Sequence, residues 1–137
     1  MPGSRPLPRP WVAIADDEPA LRALLAHALR AVGLRAAVAT DGQELLELLS
    51  AADRPPALLI LDVDMPRLGG LEVLELLARR GAGLPAIIVT GAADAAVRAR
   101  AGGHAALVVE KPFEVGALAL QARQLAGSPA LRTGVAG

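Results

Sequence analysis

A doubly wound α/β sandwich is the fold this sequence predicts, and two features of the chain predict it. Short apolar runs alternate five times with longer segments of helical periodicity, which implies a parallel sheet covered by helices on both faces and joined by right-handed crossovers. The central run, Ala57-Leu58-Leu59-Ile60-Leu61, is apolar without interruption, as a strand buried on both faces must be, and it stops at Asp62. Ligands of open α/β sheets bind outside the carboxyl ends of the strands, so Asp62 stands where a ligand or nucleophile is expected.

Taken in order, residues 1–10 contain four prolines and a glycine and read as an extended, disordered arm. Residues 11–15 form the first strand, which ends in Asp16-Asp17-Glu18. Pro19 suits the first turn of the following helix, where its missing N–H has no partner to lose. Leu21, Leu24, Leu25, Ala28, Leu29 and Val32 keep helical spacing, and Gly33 ends the helix. Residues 34–39 make the second strand. Thr40-Asp41-Gly42-Gln43 opens a second helix, with Leu45, Leu46, Leu48 and Leu49 on its apolar side. After the central strand, Met65-Pro66 turns the chain and Arg67-Leu68-Gly69-Gly70 leads into a third helix, with Leu71, Val73, Leu74 and Leu77 inward; residues 81–83 close it. The fourth strand, 84–89, ends at Thr90-Gly91, and an alanine-rich helix over 93–101 follows. The fifth strand, 105–109, ends at Glu110-Lys111-Pro112. A last helix over 113–126 turns Val115, Leu118 and Leu125 inward, and 127–137 is a flexible Gly/Ser/Pro tail.

Composition narrows the function. A chain of 137 residues fits one domain, here 11–126, large enough to bury roughly two-thirds of its unfolded surface. With 53% hydrophobic and 20% charged residues it is globular in character. Fourteen basic residues balance fourteen acidic ones without a like-charge run, which argues against electrostatic capture of nucleic acid or an anionic membrane. Trp11 and Phe113 are the only aromatics, so no platform exists for stacking bases, and the lack of cysteine excludes disulfides, thiol catalysis and thiolate metal sites. No apolar stretch approaches the ~20 residues of a membrane span, and the first ten residues have no apolar core of signal-peptide length. A cytoplasmic protein is the expectation.

The strand ends carry the chemistry. Asp16-Asp17, Asp62, Thr90 and Lys111 terminate strands one, three, four and five, and in a parallel sheet those ends share one rim. Each has a plain explanation alone: acids favour a helix N-terminus, threonine caps, and lysine is solvated. Together they suggest a site. Crowded carboxylates repel and cannot all stay ionised without compensation, and a hard divalent cation with oxygen ligands resolves this; Mg²⁺ takes one or two carboxylates plus waters and phosphate oxygens. Asp62 can then act as a carboxylate nucleophile toward phosphorus. The transferring group spreads charge over three equatorial oxygens, which the metal, the Lys111 ammonium and the Thr90 hydroxyl can serve, while Gly91 leaves room for entry.

Asp-Asp-Glu-Pro after strand one, Leu-Asp-x-x-Met-Pro after strand three, Thr-Gly after strand four and Lys-Pro-Phe after strand five resemble, in that order, a response-regulator receiver domain over residues 11–126. The resemblance implies a flavodoxin-like fold with sheet order 2-1-3-4-5 and a cis Lys111-Pro112 bond. Asp62 would accept a phosphoryl group from the phosphohistidine of a sensor histidine kinase or phosphotransfer protein, in a Mg²⁺-dependent reaction. Asp17 and Asp62 would bind Mg²⁺ directly with the main-chain carbonyl of Asp64, and Asp16 would act through water. Thr90 and Lys111 would grip the phosphoryl group and relay its arrival to the face made by the fourth helix, fifth strand and fifth helix. That face would meet a downstream protein or an output domain, or pair two copies as a homodimer. Such a domain is a signalling phosphoacceptor rather than an enzyme, although it promotes its own phosphorylation and dephosphorylation, and no contact with nucleic acid or membrane is implied. Two features depart from the family pattern. Val108 stands where the family usually has a Tyr or Phe whose rotation couples to the threonine, and the segment from Gly102 to Lys111 is slightly long. Both bear on output rather than on phosphoryl acceptance. The resemblance also implies that Asp64, two residues past Asp62, holds a position at which the family can tune the lifetime of the phosphoryl bond.

Two other readings compete. Leu61-Asp62-Val63-Asp64 also resembles the paired aspartates of haloacid-dehalogenase-type phosphatases, but those enzymes usually carry Thr or Val where Pro66 stands and place the motif on the first strand. A receiver retained as an unphosphorylated docking module is the other, although every site position is filled. His27 and His104 lack partner acids at ligand spacing and read as surface residues. Residues after 126 are too few for an output domain, so the chain is expected to be a stand-alone receiver or part of a longer regulator.

Overall fold

Strand β1 (Trp11–Ala15) lies in the interior of a five-stranded parallel sheet, with β2 (Arg35–Ala39) on one side and β3 (Leu58–Asp62) on the other; β4 (Ala86–Thr90) and β5 (Leu107–Glu110) continue beyond β3. The order β2-β1-β3-β4-β5 is the one the family resemblance implied. Helices α1 (Pro19–Ala31), α2 (Gly42–Ala51), α3 (Gly70–Arg79), α4 (Ala95–Gly102) and α5 (Val115–Gly127) form the crossovers and the final cover. This computed structural model describes residues 9–104 and 106–127, so most of the N-terminal arm and all of the tail but Gly127 lie outside the described residues.

The strand period of two divides the core into two layers. Val12, Ile14, Leu58, Ile60, Ile87 and Val89 pack with Leu25 and Leu29 of α1 and Leu118 and Ala122 of α5. Ala13, Ala15, Leu59, Leu61 and Ile88 pack on the opposite face with Leu45 of α2 and Leu71, Val73 and Leu74 of α3. Every residue of β3 and β4 is buried, so these strands carry no polar alternation. Burying each Leu or Ile contributes roughly 1.5–3 kcal/mol.

Local chemistry sets the boundaries. Gly33 (φ 91°) and Gly81 (φ 69°) take the left-handed conformation that releases α1 and α3 into the next strands. Asp41 caps α2 by accepting from the Glu44 N–H, and Glu44 returns a bond to the Thr40 N–H. Asp94 caps α4 through the Val97 N–H, so that helix begins at Ala95 rather than at 93. Fifth-strand pairing runs one residue beyond the expected span and includes Glu110. Leu24, expected inward, is 56% exposed: Leu25, Ala26 and Leu29 already fill the stripe that α1 can bury, and Leu24 lies one helical step outside it. In α5 the buried stripe is largely alanine, with Ala119, Ala122 and Ala126 beside Leu118, while Val115 and Leu125 are half-buried.

Candidate functional site

The strand order reverses between β1 and β3, and the crevice at the carboxyl ends of those strands is where such sheets bind ligands. Asp16 follows β1 directly. Its N–H donates to the Ala39 carbonyl (3.2 Å), its Oδ1 accepts from the Glu18 N–H (2.8 Å), and its carbonyl accepts from Arg22 Nη1 (2.7 Å). The local turn and the first turn of α1 therefore fix this carboxylate while burying it. Asp17 beside it is exposed.

Asp62 ends β3 and is buried. Its Oδ1 accepts from the Asp64 N–H (3.1 Å) and its Oδ2 lies 3.3 Å from Lys111 Nζ. Carboxylate oxygens of Asp16, Asp17 and Asp62 all lie within 4.8 Å of one another. Burial pushes the Asp16 carboxyl above the usual carboxylate range against the pull of the Glu18 N–H, and the charge of Asp62 adds to the rise. Burial likewise raises Asp62 against the Asp64 N–H and the Lys111 ammonium. Burial opposes the charged form of Lys111, but Asp62 and Asp16 outweigh it and hold the ammonium above its ordinary value.

Thr90 ends β4 on the same rim, one residue past Val89, the register partner of Asp62. It is buried, and its hydroxyl donates to the Ala92 carbonyl (3.2 Å) and accepts from the Ala92 N–H (3.1 Å). Lys111 follows β5; its N–H donates to the Thr90 carbonyl (2.8 Å), and its bond to Pro112 is cis. Gly91 opens onto free space. The Asp64 side chain is exposed and stands outside the carboxylate cluster.

Sequence reasoning missed the mooring of the β3–α3 loop. Arg67 adopts a left-handed backbone (φ 66°), and its guanidinium reaches the buried Asp41 Oδ2 through Nη2 (2.7 Å) and Nε (2.8 Å). The Glu44 N–H first, and Arg67 with it, hold the Asp41 carboxyl below the usual range. The Gly42 N–H donates to the Leu68 carbonyl (3.0 Å), a second tie from the same loop to the start of α2. The loop that carries Asp64 past Asp62 is thus anchored on a capped helix rather than left to solvent. Only the cap signal at Asp41 was readable in advance.

Three carboxyl groups stand here against one ammonium, and two of the three are buried. A hard divalent cation suits this donor set: oxygen ligands only, charge to be neutralised, and access from the exposed Asp17 side.

The fold and this rim define a class: a single parallel α/β domain with an acidic pocket and an opposed lysine at its switch point. Comparison with known proteins gives the class its family. The sequence pattern described as "Response regulator receiver domain" matches residues 12–123. The response regulator MprA of Mycolicibacterium vanbaalenii is 43% identical over 79 residues, covering 58% of this chain and 33% of that protein. The C4-dicarboxylate transport transcriptional regulatory protein DctD of Pseudomonas aeruginosa is 37% identical over 122 residues, covering 83% of this chain and 26% of that protein. Among solved structures, the receiver domain of Francisella response regulator 1452 superposes with a TM-score of 0.78 at 24% identity, covering 86% of this chain and 97% of that one. The receiver domain of NtrX from Brucella abortus gives 0.74 at 28% identity, covering 85% and 98%. The chain belongs to the response regulator receiver domain family. It spans about a third or less of the length of these curated relatives. The phosphatase reading is not favoured. No helix among the described residues is long and apolar enough to cross a membrane.

Proposed function

We propose that Asp62 is the phosphoacceptor of this receiver and that Asp16, Asp17, Asp62 and the main-chain carbonyl of Asp64 hold a Mg²⁺ ion beside it, Asp16 through water. The observation that carries the reading is the convergence of the three carboxylates within 4.8 Å, with Lys111 Nζ 3.3 Å from Asp62. In the transfer step an Asp62 carboxylate oxygen forms a bond to phosphorus as the P–N bond of a donor phosphohistidine breaks, and the departing imidazole takes a proton from solvent. When bound, Mg²⁺ supplies positive charge against the phosphoryl oxygens. Lys111 gives up its contact with the free carboxylate and pairs with the phosphoryl group, and Thr90 donates its hydroxyl to a further oxygen. Gly91 leaves the approach open. The donor is a sensor histidine kinase or phosphotransfer protein, and the product signals through α4, β5 and α5 to a downstream protein or an output domain. Adding roughly −1.5 to −2 charges at Asp62 is the local event such a surface reads.

Intact mass spectrometry after incubation with acetyl phosphate and Mg²⁺ tests this reading, followed by mapping of the modified residue. One phosphoryl group on Asp62 is expected; a modification mapped elsewhere, or none, overturns it. A second expectation concerns the metal. Because the cation relieves carboxylate repulsion only in the folded chain, Mg²⁺ at about ten times its Kd stabilises the protein by about 1.4 kcal/mol, a rise of several degrees in melting temperature. Equal melting temperatures in chelator and in millimolar Mg²⁺ would count against the metal site.

A further inference from the structure

We propose that Glu110 is a positioning residue for Thr90, holding the β4–α4 loop in the arrangement that keeps the Thr90 hydroxyl off the phosphoryl pocket. Thr90 and Glu110 are register partners across β4 and β5, and both lie on the sheet face that carries Ile88 and Val108. The single proton of the Thr90 hydroxyl is committed to the Ala92 carbonyl, and its oxygen accepts from the Ala92 N–H. In the next residue, Ala93, side chains hold both peptide groups: the N–H donates to Glu110 Oε2 (2.9 Å), and the carbonyl accepts from Arg98 Nε (3.1 Å). Asp94 then caps α4.

A hydroxyl that donates to the Ala92 carbonyl cannot donate to a phosphoryl oxygen at the same moment, so Thr90 must release residues 91–93 to serve the pocket. Glu110 resists that release from β5 and Arg98 from α4. The helix beyond buries only Ala101, so little apolar packing holds this segment and its polar ties carry weight. Glu110 thus connects the pocket to the fifth strand by a bonded route, bypassing the short side chain of Val108.

The inference rests on the proposed role of Thr90, and its test separates the two. Beryllofluoride with Mg²⁺, which mimics the phosphoryl group, is titrated against the whole chain and followed through the Gly91 amide resonance. The unaltered protein should saturate; if it does not, the phosphoacceptor reading fails and this inference with it. Given saturation, Glu110→Ala should lower the half-saturating concentration roughly fivefold, the loss of about one hydrogen bond that opposes binding. Glu110→Gln keeps an acceptor oxygen for the Ala93 N–H and should stay within about twofold of the unaltered protein. In a Thr90→Ala background, Glu110→Ala should have no effect, because it acts through the hydroxyl that is gone. Unchanged or weakened binding in Glu110→Ala overturns the proposal. Equal gains in the Ala and Gln variants, or a gain that persists without Thr90, assign the effect to lost negative charge and overturn it as well.

Discussion

Asp62→Asn is expected to abolish labelling by acetyl phosphate while leaving the fold intact. A carboxamide oxygen is too weak a nucleophile to replace the carboxylate, and Asn is close to Asp in volume, so the β3 terminus has no reason to move. Among the described residues only Asp62 of the three acids has the Lys111 ammonium against its carboxylate, 3.3 Å from Oδ2, so Asp16 and Asp17 are no substitute. Labelling of the variant at the unaltered rate, measured by intact mass, would mean that the acceptor lies elsewhere.

The same substitution should stabilise the metal-free protein at neutral pH. Burial raises the Asp62 carboxyl above its unfolded value. Its contribution to stability is therefore fully present below the ordinary carboxylate pKa of about 4 and is lost as pH rises through the raised folded value. Above that window the folded chain carries a buried charge that Asn does not. The advantage of Asp62→Asn in chelator should thus be greatest at neutral pH and shrink as pH falls toward 4. Urea titrations of both proteins at several pH values check this, and an advantage that grows toward acid would contradict it.

Gly70→Ala is expected to destabilise the protein by about 3 kcal/mol. Gly70 opens α3 at the point where the helix rests on β3. A Cβ there would lie 2.6 Å from the carbonyl oxygen of Asp62 and 2.9 Å from the Leu61 Cβ. Both atoms belong to the central buried strand, so the helix must withdraw rather than the strand yield. Alanine is the better helix former, and any loss therefore reports the clash. The shift should reach function too, because the start of α3, which rests on the backbone of the proposed acceptor, is what moves. Gly83→Ala serves as the comparison: nothing lies within 4 Å of its added Cβ, and a change within about 0.5 kcal/mol is expected. A Gly70→Ala protein as stable as Gly83→Ala would show that α3 and β3 are not in such close contact.

Most of the fold was legible because it was written in local pattern. Uninterrupted apolar runs gave the buried strands, and the left-handed glycines after α1 and α3 stand where those helices were expected to stop. The misplacements have physical causes. Leu24 fits helical spacing, yet a helix lying on a sheet buries a stripe rather than half its circumference, and Leu25 and Leu29 occupy it. The buried face of α5 was under-read because alanine carries little hydropathic contrast, although Ala119, Ala122 and Ala126 pack as closely as Leu118.

What the amino-acid order determined by itself was the succession of elements and the polar residue delivered at the end of each strand, since both depend on periods of two and 3.6 residues and on short-range caps. What only the tertiary structure decided was which of those residues are buried, and which partners reach them across the sequence. Asp16 is enclosed while Asp17 is open. Arg67 finds Asp41 from 26 residues away, and Glu110 finds the Ala93 amide from 17. Such contacts arise from the angles at which crossovers set neighbouring helices and loops against the sheet, and no local pattern in the chain encodes those angles.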